Sequence, residues 1–262
     1  MHVHTCSSPD GDLSATRLCE IGRGKGVALI GFVAHLDLHP DDFCYRGFHE
    51  ETYQRELDSA EEFDGPTVLR GLEIGEPHRF LHAASALYRP EKYDFITGAL
   101  HWLGNSMILD KQPFLEGDPL DLVERYYEET LEMLHKGGFN ILAHMGIFRR
   151  GMALAGLSCD FDETLIFPEL LRDLLEKSIE MGIAIEVNTA GLRRPERATY
   201  PTRPVLRMYR DLGGTMITIG SDTHRAEHAF YGLAEGEALI RATGFTGYGY
   251  FEKRRYMATP LQ

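Results

Sequence analysis

Short apolar runs recur along the chain, and most of them end in a histidine or an acid. Val27–Val33 leads through Ala34 to His35, Thr67–Leu72 to Glu73, Asp94–Leu100 to His101, Phe139–Ala143 to His144, and Thr215–Ile219 to Asp222. Ile183–Asn188 is a further run, and His2 and His4 open the chain. Runs apolar at nearly every position read as strands buried on both faces, as in a parallel sheet. Between them lie helical stretches. Pro119 to Lys136 carries Leu120, Val123, Tyr127, Leu131 and Leu134 on one stripe, with Asp118 as N-cap and Gly137-Gly138 as its stop. Pro168 to Glu180 repeats the scheme, and Ser14–Arg23, Glu51–Phe63 and Ala226–Arg241 are further helices on this reading. Strands alternating with helices imply right-handed parallel crossovers. About seven such units predict a closed or nearly closed β/α barrel, with a doubly wound sheet as the other arrangement. No linker or repeat interrupts the pattern, so residues 1–262 read as one domain.

Composition narrows the function. The 27 Lys+Arg against 40 Asp+Glu give a formal net charge of −13, which disfavours binding to a nucleic-acid backbone. No apolar stretch reaches the roughly eighteen residues of a membrane span. The opening Met-His-Val-His-Thr lacks the basic flank and apolar core of a secretory signal. Cys6, Cys19, Cys44 and Cys159 form no C-x-x-C pair and no disulfide framework, which points to a reducing cytoplasm.

In a β/α barrel the C-terminal strand ends converge on one rim, where active sites are built. A single histidine at a strand end is usually a hydrogen-bonded structural residue, and a single acid usually a cap. The joint pattern is different. His2 and His4 lie two apart in an extended segment and so face the same side, and Asp222 and His224 repeat that spacing. Imidazole and carboxylate without clustered thiols suit Zn, Mn or Fe. The candidate ligands outnumber what one ion takes, so two or three divalent ions are expected.

These motifs together resemble the polymerase-and-histidinol-phosphatase (PHP) family of metal-dependent phosphoesterases. The carrying segments are His2-Val3-His4-Thr5 with Asp10, Gly31 to His35, Gly71-Leu72-Glu73, Gly98 to His101, Leu142-Ala143-His144, and Gly220 to His224, in the family's order. The resemblance implies a distorted (β/α)7 barrel. It also implies a three-metal site, with His2, His4, Glu73 and Asp222 on one ion. Glu73 would bridge to a second ion held by His101 and His144, and Asp10, His35 and His224 would hold the third. The segment Glu186 to Pro195, with Tyr200-Pro201, looks like the histidinol-phosphatase branch. Ala34 and Gly146 depart from that branch, which commonly has acids there.

The implied activity is hydrolysis of a phosphomonoester, L-histidinol phosphate first, in histidine biosynthesis. A metal-held hydroxide would attack phosphorus in line with the leaving alkoxide. Glu73 and Asp222 are the catalytic carboxylates of this scheme. Arg149 and Arg193 match phosphate-binding arginines, because a guanidinium fork fits phosphate. Ser221 and His39 are further candidate substrate contacts. His39, Asp37 or a metal-bound water could protonate the leaving group, and Asp41, Asp42 or Glu76 could take the substrate's ammonium. The alternatives are a PHP phosphoesterase of another small phosphate or nucleotide, a 3′-exonuclease, a C–N hydrolase on a similar barrel, or a non-catalytic PHP module.

Overall fold

The structure, a computed structural model, describes residues 1–261. Seven strand–helix units follow one another. They are β1 (Val3–His4), α1 (Ala15–Gly24), β2 (Leu29–Val33), α2 (Glu50–Glu61), β3 (Thr67–Gly75), α3 (Pro77–Ala84) and β4 (Phe95–Ala99). Then come α4 (Pro119–Lys136), β5 (Ile141–Leu142), α5 (Pro168–Glu180), β6 (Ala184–Asn188), α6 (Arg203–Asp211), β7 (Ile217–Gly220) and α7 (Leu233–Ala242). A terminal hairpin, β8 (Gly247–Glu252) and β9 (Arg255–Pro260), ends the described chain.

Strands β1 to β7 pair in chain order, all parallel. The end of β7 then returns to β1. Asp222 N donates to His2 O at 2.9 Å, His4 N donates to Thr223 O at 2.8 Å, and Val3 bridges Thr223 in parallel. The Met1 ammonium donates to Ile219 O at 2.6 Å on the same seam. Seven strands thus complete a ring, the distorted (β/α)7 barrel expected from the sequence. The distortion lies at β7: Thr218 pairs with Gly249 of β8, while Asp222 and Thr223, just beyond the strand, pair with the β1 segment. Beyond β2, the short run His35–Leu36 pairs with Glu73 and Ile74 of β3, which sets His35 beside Glu73.

The helices form where caps and apolar stripes agree. Asp118 accepts from Leu120 N at 2.8 Å and from Asp121 N at 3.4 Å, opening α4. Its buried face is Leu122, Val123, Tyr126, Tyr127, Thr130, Met133 and Leu134. The larger apolar side chains among them each contribute about 1.5–3 kcal/mol by burial. Leu120, assigned to that stripe from the sequence, is instead 45% exposed at the first turn. The helix expected over Ala226–Arg241 is broken: Phe230 at φ 60° and Gly232 at φ 74° interrupt it before α7 begins. Helices α3 and α6 were not read from the sequence. No described helix is long and apolar enough to cross a membrane.

Candidate metal centre

The barrel's C-terminal rim brings the nine expected ligand residues together. His2 Nε2, His4 Nε2, Glu73 Oε2 and Asp222 Oδ1 form a compact set of four atoms. His2–His4 is 3.1 Å, His2–Glu73 3.3 Å, His4–Glu73 3.2 Å, His2–Asp222 3.7 Å and His4–Asp222 3.6 Å. Ligand atoms about 2.0–2.1 Å from a tetrahedral ion lie roughly 3.3 Å apart, the spacing of the His2, His4 and Glu73 atoms, with Asp222 Oδ1 3.6–3.7 Å from the two histidines. The other oxygen of Glu73 faces His144 Nε2 at 3.0 Å and His101 Nε2 at 3.8 Å. On the opposite side, Asp10 Oδ2 lies 3.1 Å from His224 Nε2 and 3.6 Å from His35 Nε2. The His35 and His224 nitrogens are 3.5 Å apart.

Two of the expected ligand residues sit where side chains are rarely held. His144 has φ 27° and Asp222 φ 51°. Positive φ in bulky residues is a strain that surrounding structure must hold, and it clusters at functional sites.

The electrostatics are those of a packed donor cluster. Burial opposes protonation of His2 and His35, but facing carboxylates outweigh it and raise both well above the usual value. His101 rises to about 9 for the same reason, against burial and with Asp37 and Glu73 beside it. His4 falls to about 3, from burial first and then from His224 and His35. Burial works against charge on Glu73 and Asp222, yet the surrounding histidines hold both well below the usual carboxylate range. The donors suit cations that replace protons. These residues can hold metal ions.

Two buried acids stand behind the histidines: Glu186, assigned no role of its own from the sequence, and Asp37, considered there only as a proton donor. Glu186 Oε1 lies 2.9 Å from His2 Nδ1, and its Oε2 accepts from His144 N at 2.9 Å and Asn188 Nδ2 at 3.1 Å. Asp37 Oδ2 lies 3.0 Å from His35 Nδ1, and its Oδ1 faces His101 Nδ1 at 3.7 Å. The available signals were a lone acid between apolar neighbours in Ile185-Glu186-Val187 and the i, i+2 spacing of His35 and Asp37.

A cleft of about 490 Å³ opens over the cluster, lined in part by Arg150, Arg193, Arg194, Asp42, Phe43 and Asp110. Several expected substrate contacts lie elsewhere. Arg149 is fully buried, with Nη2 donating to Glu163 Oε2 at 2.6 Å, and it packs between the rings of Phe148 and Phe161. Its neighbour Arg150 faces the cleft instead. Ser221 is buried and its hydroxyl pairs with Thr223 Oγ1 at 2.8 Å. His39 is buried, stacked on Trp102 at 4.0 Å, with Nε2 3.0 Å from Gly104 O. Glu76 is buried and accepts from the backbone of His101 at 2.7 Å and Trp102 at 3.0 Å, and burial pushes its carboxyl up to about 7. Among the described acids proposed for an ammonium, Asp42 lines the cleft, while Asp41 and Glu76 do not.

Arg193 does line the cleft. Its two terminal nitrogens donate to Ser221 O and Asp222 O, both at 2.8 Å, so it also clamps the loop that carries Asp222. Each terminal nitrogen keeps a second N–H. Among the described residues, Arg150, Arg193 and Arg194 form no ion pair.

In comparison with known proteins, the family description "PHP domain" matches residues 1–190. A probable histidinol-phosphatase of Thermotoga maritima is 26% identical over 239 residues, covering 90% of this chain and 88% of its own. A probable histidinol-phosphatase of Clostridium acetobutylicum is 24% identical over 227 residues, covering 85% of each chain. The histidinol-phosphatase of Lactococcus lactis is 24% identical, covering 93% of this chain and 90% of its own. Among solved structures, the Lactococcus lactis histidinol phosphate phosphatase, crystallised with zinc, L-histidinol and phosphate, superposes with a TM-score of 0.81 at 21% identity. It covers 98% of this chain and 97% of its own. A putative histidinol phosphatase of Listeria monocytogenes gives 0.74 at 18% identity, covering 89% and 98%. At these identities the two structures establish the fold.

Proposed function

The chain belongs to the PHP family, and on that premise we propose that it is a phosphomonoesterase acting on L-histidinol phosphate in histidine biosynthesis. The observation that carries the reading is one juxtaposition. Nine ligand-type side chains meet beneath a cleft whose wall presents three arginines without carboxylate partners. His2, His4, Glu73 and Asp222 would hold one ion, Glu73 with His101 and His144 a second, and Asp10, His35 and His224 a third. Zinc, manganese or iron fits this mixture of imidazole and carboxylate. When bound, such ions lower the pKa of water towards neutrality and offset charge on phosphoryl oxygens.

The chain's own groups supply the rest. Arg150 and Arg194 meet the nonbridging oxygens from the cleft wall, and Arg193 does so with its spare N–H groups while holding Asp222 in place. Asp42 and Asp110 carry negative charge at the outer wall, where the ammonium of histidinol would lie. Phe43, 76% exposed at the mouth, offers an aromatic face to the imidazole. His39 is held away from the cleft by Trp102 and Gly104, so it does not donate the leaving-group proton. Four free thiols agree with a cytoplasmic enzyme. The reading takes residues 1–262 as one barrel domain.

A phosphate-release screen tests it. Histidinol phosphate, other phosphorylated metabolites and single-stranded DNA are offered to the purified protein with zinc or manganese supplied separately. The expected result is that histidinol phosphate gives the highest kcat/KM. Turnover confined to nucleotides or DNA would overturn the substrate, and no phosphate release with any metal would overturn the enzyme.

A further inference from the structure

The two buried acids behind the metal ligands share one architecture. Each occupies a notch that only glycine leaves open. A Cβ at Gly75 would sit 2.1 Å from Asp37 Oδ1, and every atom it would approach closely belongs to Asp37. A Cβ at Gly220 would sit 2.0 Å from Glu186 Oε1. Each acid also spans two ligands. Glu186 reaches the His2 ring and the backbone N–H of His144, and Asp37 reaches the rings of His35 and His101. The His2 ring meets Glu186 through Nδ1 while its Nε2 points to the ligand cluster; the Nδ1 atoms of His35 and His101 face Asp37 at 3.0 and 3.7 Å, and His35 Nδ1 also lies 3.3 Å from Glu73 Oε2. An imidazole whose Nδ1 carries the proton presents the Nε2 lone pair to a metal.

We propose that Asp37 and Glu186 are positioning residues, which fix the tautomer and orientation of His2, His35 and His101 and the backbone at His144. The proposal rests on the metal-centre reading and adds what sets its affinity. Asp37 ties a ligand of the second ion to one of the third, and Glu186 ties a ligand of the first to one of the second. Loss of either acid therefore weakens two ion positions at once.

The test is zinc binding by the full chain, measured without substrate. Protein freed of metal by dialysis against a chelator is titrated with zinc against a chromophoric competitor, and the metal-free form is melted in parallel. Glu186→Gln and Asp37→Ala are each expected to weaken zinc binding about 10–100-fold. Gly75→Ala is expected to weaken it in the wild-type background and to add nothing in the Asp37→Ala background, because its Cβ acts on Asp37 alone. Zinc affinity unchanged from wild type in both single variants would overturn the proposal. So would a Gly75→Ala effect of the same size in both backgrounds, and that cycle decides the matter even if Glu186→Gln fails to fold. If the wild-type chain itself took up no zinc, the metal-centre reading would fall, and the proposal with it.

Discussion

Replacing Arg149 with methionine separates two neighbouring arginines that the sequence presents as equivalent. Arg149 and Glu163 are both fully buried, with Nη2 and Oε2 2.6 Å apart. Glu163 Oε1 also accepts from Tyr127 Oη at 3.1 Å and Thr202 Oγ1 at 3.3 Å, so the pair is the centre of a small polar network inside the apolar layer. Methionine keeps most of the side-chain volume and removes the charge. Glu163 is then left buried without a cation, and breaking such a pair from one side costs about 3–5 kcal/mol. For a chain of this size that lowers Tm by roughly 10 °C. The folded enzyme at room temperature should keep kcat/KM within about threefold, because the guanidinium does not reach the cleft. Arg150→Met should do the reverse. Losing one charge-assisted contact to phosphate costs about 1.5–3 kcal/mol, or roughly 10–100-fold in kcat/KM, with little change in Tm. Arg149→Met combined with Glu163→Leu should recover most of the lost stability, since an apolar pair is often as stable as a buried ion pair. The assay is calorimetric melting beside steady-state phosphate release. A variant of Arg149 that melts like wild type but has lost turnover would refute the assignment.

Chelation should abolish phosphate release, and zinc or manganese should restore it; the affinity should rise with pH, because His101, raised to about 9, must shed its proton to bind, and an affinity flat from pH 6 to 9 would contradict this. His39→Ala should leave the shape of the pH–rate profile intact and cost about 1 kcal/mol of stability through the lost stacking on Trp102; a missing limb in the profile would restore His39 as a proton donor. Asp94 joins β3 to the terminal hairpin, accepting from Arg70 N and Lys253 N, both at 2.9 Å, so Asp94→Ala should lower urea stability by about 1–2 kcal/mol with unchanged kinetics.

What the sequence made legible was whatever depends on alternation and strand termini. Buried parallel strands are apolar almost throughout, so their ends are marked by the first polar residues, and at the rim these include the candidate ligands. His35, Glu73, His101 and His144 could be found in this way without any distance. The ring closure was not legible, because it depends on two residues of β1 meeting the end of β7 across the whole length of the barrel. The arginines were not legible either. Successive residues on a helix point about 100° apart, so which of Arg149 and Arg150 faces the cleft depends on the rotation of a six-residue helix, Arg149–Leu154, that no periodic stripe announces. Glu76 read as a loop acid. It is drawn inward by a left-handed backbone at φ 44° that turns its carboxylate onto the amides of His101 and Trp102.

The acidic balance of the chain and an anionic substrate are reconciled by where charges lie and by which of them are already paired. Asp37, Glu73 and Glu186 are buried at the base of the cleft, with Asp10 and Asp222 nearer its edge. Left to themselves these acids draw protons onto His2, His35 and His101, which is why those rings rise while the carboxylates fall. Divalent ions in place of those protons bring more positive charge to the same volume, and bound cations are then the largest local charges in the site. A low-dielectric wall focuses that field into the cleft rather than over the acidic surface. An arginine adds to it only if no acid has already neutralised it. Arg149, locked to Glu163, is therefore silent towards phosphate even though it stands next in sequence to Arg150. Under the proposed function, Arg150, Arg193 and Arg194, without carboxylate partners, would turn a locally acidic barrel mouth into a receptor for a dianion.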